Sequence, residues 1–266
     1  MDAGWLAPAV VGHHSGVARI DPPIRRRWHR LRLRPRLALA ALAGFVLAVP
    51  VTLLALAVRN GWGPVRRLDL AVADSLHGSV GLRSPLLRLL RMLDVVLHPW
   101  VFRVAVALLV LLLVWRGARR LAWWAAVTMV TGSVLGLALK LLFARTRPSF
   151  DLPLATAPGY SFPSGHALNS AVGVLVLVLA VLPALPGTRS RLATWLAGLF
   201  VIALTGFDRI GLGVHYLSDV IAAWLVAAAL VAATAAAFET WRRDVGRPPH
   251  DPIEGIDPED AFRVAA

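Results

Sequence analysis

The chain has 266 residues, of which 58% are hydrophobic and 16% charged, with a formal net charge of +13. Soluble domains average roughly 45–50% apolar residues. Here the excess is gathered in long blocks, which excludes an ordinary soluble domain and reads as a membrane protein. The positive charge does not imply a nucleic-acid partner, because the arginines sit at the edges of apolar blocks, where the positive-inside rule puts them.

Residues 1–36 include "RIDPPIRRRWHRLRLRPR", and eight of the 36 are arginine. This stretch is too long and too charged for the n-region of a signal peptide. It reads as a flexible, basic cytoplasmic tail, placed to touch anionic head groups. A span needs about 20 apolar residues. Six are predicted: 37–58, with Pro50 as a kink, 95–115, 121–143, 166–185, the short 192–207, and 217–238. Their apolar runs are continuous rather than alternating, which favours helices over strands. The expected fold is therefore all-α and polytopic, a six-transmembrane-helix bundle over 37–238 with an outward-facing active site. Arg103, inside the second span, is expected to snorkel outward, with reaching the polar cluster as the alternative. Gly132 and Gly136 form a GxxxG for close helix packing.

The 59–94 connection holds Arg59, Arg66, Arg67, Arg83, Arg88 and Arg91, and its "PLLRLLRMLD" is amphipathic. Helices lying on the outer surface are expected there. Residues 239–266, rich in Pro and acid, read as a disordered cytoplasmic tail. Six spans put both termini on one side. The basic tail, "RGARR", "TRSR" and "WRRDVGR" make that side the cytoplasm.

With this orientation the third span ends outside at Lys140, followed by "LLFARTRPSF". The fourth opens outside with "FPSGH", and the fifth leads into "GFDRIGLGVHYLSD". Lys140, Arg145, Arg147, Ser164, His166, Arg209, His215 and Asp219 thus fall at one membrane surface, where chance would scatter them over two. Ionisable residues at membrane depth are costly and usually functional. Three or four cations without a carboxylate cluster point to an anion, and phosphate suits the fork of Arg and the point charge of Lys. Ser164 and Gly165 stand where a helix begins, with free N–H groups and room for an oxygen to approach.

His215 and Asp219 are spaced i, i+4 and share a helix face. A carboxylate bonded to Nδ1–H leaves Nε2 free as a nucleophile, which gives a phosphohistidine. His166 would protonate the leaving oxygen and then activate water, while Lys140, Arg147 and Arg209 stabilise the equatorial oxygens. No metal or other cofactor is required. The same spacing also suits zinc, but the surrounding cations would repel a divalent ion. Arg145 reads as an interfacial anchor or a ligand, and Asn169 as a residue packed between helices. His13, His14, His29, His77, His98 and His250 read as structural. The chain has no cysteine, so thiolate chemistry is absent.

These residues resemble the type 2 phosphatidic acid phosphatase superfamily of integral-membrane lipid phosphatases. Its signature has three parts. Lys, six residues and Arg-Pro is matched by Lys140 through Arg147-Pro148, and Pro-Ser-Gly-His by Pro163 to His166. Ser-Arg, five residues, His, three residues and Asp is matched by Arg209, His215 and Asp219, with Asp208 standing where the family usually has Ser. A carboxylate there repels phosphate unless it pairs with Arg145 or Arg209 or faces away. The resemblance covers roughly 37–238. It implies a six-helix bundle and a metal-independent phosphohistidine mechanism at an outward-facing site. It also implies His215 as nucleophile, Asp219 as its partner and His166 as acid/base. Lys140, Arg147, Arg209, Ser164 and Gly165 would bind phosphate. The expected protein is a multi-pass plasma-membrane phosphatase acting on a lipid or polyprenyl-lipid phosphate. Its partners are that substrate and membrane lipid, with a homo-oligomer left open. A phosphotransferase using the same intermediate is one alternative. A non-catalytic lipid-phosphate binder or transporter is another, although no inverted repeat is visible.

Overall fold

The computed structural model describes residues 49–81, 84–247 and 255–257. Its regular structure is helical throughout: α1 (Val49–Arg59), α2 (Gly63–Ser79), α3 (Pro85–Val96), α4 (Pro99–Trp115), α5 (Arg119–Phe143), α6 (Gly165–Val181), α7 (Gly187–Gly211) and α8 (Leu217–Asp244). The helix starts are written in the sequence. Ser84 accepts from the Leu87 N–H at 3.0 Å ahead of Pro85, and His98 Nδ1 accepts from the Trp100 N–H at 3.3 Å ahead of Pro99. Side-chain caps of this kind satisfy N–H groups that the helix itself cannot, and Pro is at home in the first turn.

Among the described residues, five segments are long and apolar enough to cross a membrane. They are Pro85–Trp115, Arg119–Phe143, Gly165–Ala184, Gly187–Gly211 and Leu217–Arg242. Most of the first predicted span, and the tail 1–36, lie outside the described residues; α1 is the end of that span. The fifth span is longer than expected. Its apolar run is 192–207, but α7 covers 25 residues because "GTRSR" and "FDRIG" are helical as well. Charges end a hydropathy window without ending a helix. The "PLLRLLRMLD" stretch is helical, as expected, and forms most of α3.

α6 packs against α4, α5, α7 and α8. Small residues allow this. A Cβ on Gly136 would lie 2.7 Å from Leu168 Cδ2, and one on Gly132 would lie 3.1 Å from Val172 Cγ2. The GxxxG of α5 therefore seats α6, the close approach expected of it. On the other side, a Cβ on Gly206 of α7 would lie 2.3 Å from Trp224 Cζ2. The outward faces carry exposed Leu111, Trp115, Trp123, Leu141 and Phe200, the surface a bilayer requires.

The boundary drawn at 238 falls inside a helix, since α8 runs on to Asp244. Beyond it, Ile256 N–H donates to Leu179 O at 2.9 Å and buried Asp257 accepts from Arg247 at 2.5 Å. Residues 255–257 are thus packed against the end of α6. The end of α5 and the start of α6, the end of α7 and the start of α8, and the α3–α4 junction all meet at the opposite end. The motif residues are gathered there.

Candidate functional site

Ser164 caps α6, and its N–H donates to Asp219 O at 3.1 Å, tying the start of α6 to the start of α8. Gly165 follows, and a Cβ there would lie 3.5 Å from Lys140 Cε. Lys140 reaches over from the last turn of α5 and donates to Tyr160 O at 2.6 Å. Arg147 is braced by carbonyls on two strips of chain. It donates to Pro158 O, Gly159 O and Tyr160 O at 3.0, 3.0 and 3.2 Å, and to Val214 O at 2.7 Å.

The same guanidinium places Nη1 3.0 Å from His215 Nε2. A guanidinium has no acceptor, so Nε2 is the accepting nitrogen and the ring proton belongs on Nδ1. Nδ1 faces Asp219 Oδ2 at 3.4 Å, longer than a good hydrogen bond but within ion-pair range. Asp219 Oδ2 also accepts from the Tyr216 N–H at 2.9 Å, which sets the carboxylate at the first turn of α8. His215 is buried, and burial pushes its imidazole down to about 4 against the pull of Asp219. The ring is therefore neutral near pH 7.

This has a measurable consequence. The unfolded chain binds the proton near pH 6.5 and the folded one only near 4, so this group costs stability as pH falls between those values. The expected loss approaches about 3 kcal/mol by pH 4. The melting temperature of the detergent-solubilised protein should fall from pH 7 to pH 4.5. Replacing His215 with Gln should flatten part of that fall. Identical slopes in the two proteins would remove the basis for a neutral, buried imidazole at His215.

Two carboxylates from outside the motifs complete the site, and sequence reasoning missed both. Asp69, buried on α2, accepts from Ser218 N–H at 2.9 Å and Ser218 Oγ at 2.6 Å, capping α8 from a distant helix. Arg145 joins Asp69 Oδ2 at 2.7 Å to Asp219 Oδ1 at 2.5 Å, bonds Ser218 Oγ, and lies 4.2 Å from the Tyr216 ring centroid. Its guanidinium is engaged by carboxylates, so it is neither a free anchor at the surface nor an open ligand. Asp94, at the end of α3, stands 2.6 Å from Arg209 Nη2 and 3.3 Å from His166 Nε2. Asp208, the departure from the family pattern, is buried and accepts from Arg209 Nε and Nη2 at 2.9 and 2.6 Å.

The expected cation cluster without carboxylates is thus corrected. Arg145 and Arg209 each sit between two carboxylates, while Lys140 and Arg147 face carbonyls. Asp219 already faces Arg145, and His215 Nε2 faces Arg147, which suits an anion between the histidines rather than a divalent ion on them. His98 lies edge-on to His166 with centroids 5.1 Å apart, and His77 stacks on Phe150 at 3.8 Å. His13, His14, His29 and His250 lie outside the described residues.

Residues 121–243, which carry all three motifs, match the model of the PAP2 superfamily. It is 34% identical over 121 residues to an undecaprenyl-diphosphatase of Sulfolobus acidocaldarius, covering 44% of this chain and 54% of that one. It is 34% identical over 93 residues to phosphatidylglycerophosphatase B of Bacillus subtilis, covering 34% and 45%. The chain spans about half the length of these curated relatives. The crystal structure of a transmembrane PAP2-type phosphatidylglycerolphosphate phosphatase from Bacillus subtilis has the same fold, with a TM-score of 0.60 at 22% identity over 77% of this chain and 98% of that one.

Proposed function

We propose that the protein is an integral-membrane phosphatase that hydrolyses the phosphomonoester or diphosphate of a lipid or polyprenyl lipid through a phosphohistidine at His215. The observation that carries this is the orientation of His215: neutral, with Nε2 turned toward Arg147 and Nδ1 toward Asp219. Nε2 attacks phosphorus, the P–O bond to the lipid breaks, and His166 gives its proton to the departing oxygen. Water then attacks the phosphohistidine, His166 takes its proton, and inorganic phosphate leaves. Lys140, Arg147, Arg209 and the N–H groups following Ser164 hold the transferred group. No metal enters this scheme. The relatives' names, an undecaprenyl-diphosphatase and a phosphatidylglycerophosphatase, support lipid-linked phosphate as the substrate class. Both termini are placed in the cytoplasm and the site on the outer face of the plasma membrane, as arginine placement directs.

Purified, detergent-solubilised protein should release phosphate from lipid phosphates in the presence of EDTA. Millimolar vanadate, a mimic of the five-coordinate phosphoryl group, should inhibit it. Activity that disappears with EDTA and returns with a divalent cation would refute the metal-free scheme. The phosphotransferase alternative would show release that depends on an added hydroxyl acceptor.

A further inference from the structure

We propose that Arg103 and Asn169 form a seat for a second phosphate, on the lipid side of the one that reacts. This rests on the phosphatase reading above and narrows it to lipids that carry two phosphates in succession.

Arg103 was expected to snorkel outward. Instead its Nε donates inward to Asn169 Oδ1 at 3.0 Å, and its guanidinium lies 5.1 Å from the Trp100 ring centroid. Asn169 is held at both ends of its amide: its Oδ1 also accepts from Ser133 Oγ at 2.9 Å, and its Nδ2 donates to Gly165 O at 2.8 Å. The amide therefore fixes Arg103 to the first turn of α6, next to the Ser164–His166 cradle. The other guanidinium donors of Arg103 have no partner among the described residues. Arg145 and Arg209 are each held by carboxylates; Arg103 has none within ion-pair distance among the described residues. A cation inside a membrane span without a counter-ion is expensive and marks a site for one.

What surrounds Arg103 indicates where that counter-ion comes from. Arg103 and Ser133 are the polar members of a cavity of about 770 Å³ between α4 and α5, otherwise lined by residues such as Val106, Val110, Met129 and Val134. A hydrocarbon chain suits those walls. Along α6, Asn169 lies three residues past His166, about 4.5 Å further into the bundle at 1.5 Å per residue. Along α4, Arg103 lies five residues past His98, whose ring touches His166. A group at Arg103 is therefore deeper than the reacting phosphate, on the side from which a lipid chain arrives. Arg suits a phosphate there, because its planar fork matches two oxygens.

The chemistry balances. His215 Nε2 bonds to the terminal phosphorus, and the bond from that phosphorus to the linking oxygen breaks. The electron pair stays on that oxygen and His166 supplies its proton. The departing lipid keeps its phosphate at Arg103. Water then splits the phosphohistidine and yields inorganic phosphate. Two kinds of lipid have this chemistry: a polyprenyl diphosphate, and a glycerolipid with a terminal phosphate beyond a phosphodiester.

The test measures kcat/KM on four lipids: a polyprenyl diphosphate, phosphatidylglycerol phosphate, a polyprenyl monophosphate and phosphatidic acid. Lipids with two phosphates should be preferred at least about tenfold. Arg103→Gln should reduce turnover of the preferred lipid about ten- to a hundredfold and change the monophosphates less than about threefold. The two-phosphate lipid that loses more identifies the source. Monophosphate turnover shows that the variant folds. If it does not fold, Arg103→Lys keeps the charge without the fork and should lose the preference in part. A wild type indifferent to the second phosphate, or a variant that loses all four lipids equally while folded, overturns the proposal. A parallel arm reads the seat without catalysis. A prenyl methylenediphosphonate should bind the wild type more tightly than the matching monophosphonate, and Arg103→Gln should abolish the difference. If no lipid is turned over but this difference is present, the phosphatase reading fails and the seat stands.

Discussion

Alanine at position 215 is expected to lower phosphate release on the order of 10⁴-fold or more, with little change in lipid binding, because a covalent route loses its nucleophile. The neighbours cannot substitute. Arg147 is protonated and held by four carbonyls, and Asp219 is spent on Arg145 and the Tyr216 N–H. His166 faces Asp94 instead. A lipid labelled in its terminal phosphate, quenched during turnover, should leave acid-labile, alkali-stable label on the wild type and none on the variant. A variant retaining a tenth of wild-type turnover, or a wild type that never carries label, would rule out the phosphohistidine. A binder or transporter predicts the opposite, with function largely kept.

Arg145→Ala should be the most destabilising single change at the site, by about 3–5 kcal/mol, because it leaves Asp69 and Asp219 buried without their shared cation. For a domain of this size that corresponds to a fall in melting temperature of roughly 10 °C. The loss arises at a junction: Asp69 belongs to α2, Asp219 and Ser218 to α8, and Arg145 to the segment after α5. The scaffold under His215 loosens with it, so turnover should also fall. Adding Asp69→Asn to Arg145→Ala should cost much less than the sum of the two, since it removes one of the stranded charges. If Arg145 instead served as a phosphate ligand, the variant would melt like the wild type and lose only affinity for vanadate. That result would show Arg145 to be a substrate contact.

The legible parts of this protein were those whose meaning is local. Helices α5 to α8 follow from apolar runs, and the start of α6 from Ser164 and Gly165; His215 does face Asp219, but from the turn ahead of α8 rather than along the shared helix face that their spacing suggested. Asp69 and Asp94 were illegible because each is an acid near arginines in an amphipathic stretch, where a solvated face is the ordinary explanation. Only the tertiary placement of α2 against α8 and of α3 against α7 brings them to the site. Arg103 was misjudged for a related reason. A long cation in an apolar run normally bends toward water, and the sequence does not show that Asn169 waits on the neighbouring helix. Asp208 was ambiguous in sequence, and its contact with the adjacent Arg209 resolves which way it turns.

The division of charge at the site bears on how long a product stays. Four bare cations around a phosphate would hold it strongly, and a phosphatase built that way would stall with its own product in place. Two of the four, Arg145 and Arg209, already have their charge answered by aspartates, so that Lys140 and Arg147 offer the ligand full charge and Arg209 a charge shared with Asp94 and Asp208. Asp94 is partly exposed, with 38% of its side chain accessible, and it lies beside both Arg209 and His166. Its carboxylate can retake those contacts as soon as inorganic phosphate loosens. On the proposed phosphatase reading, the aspartates that blunt this anion site would thereby shorten the residence time of the product and free the site for the next lipid.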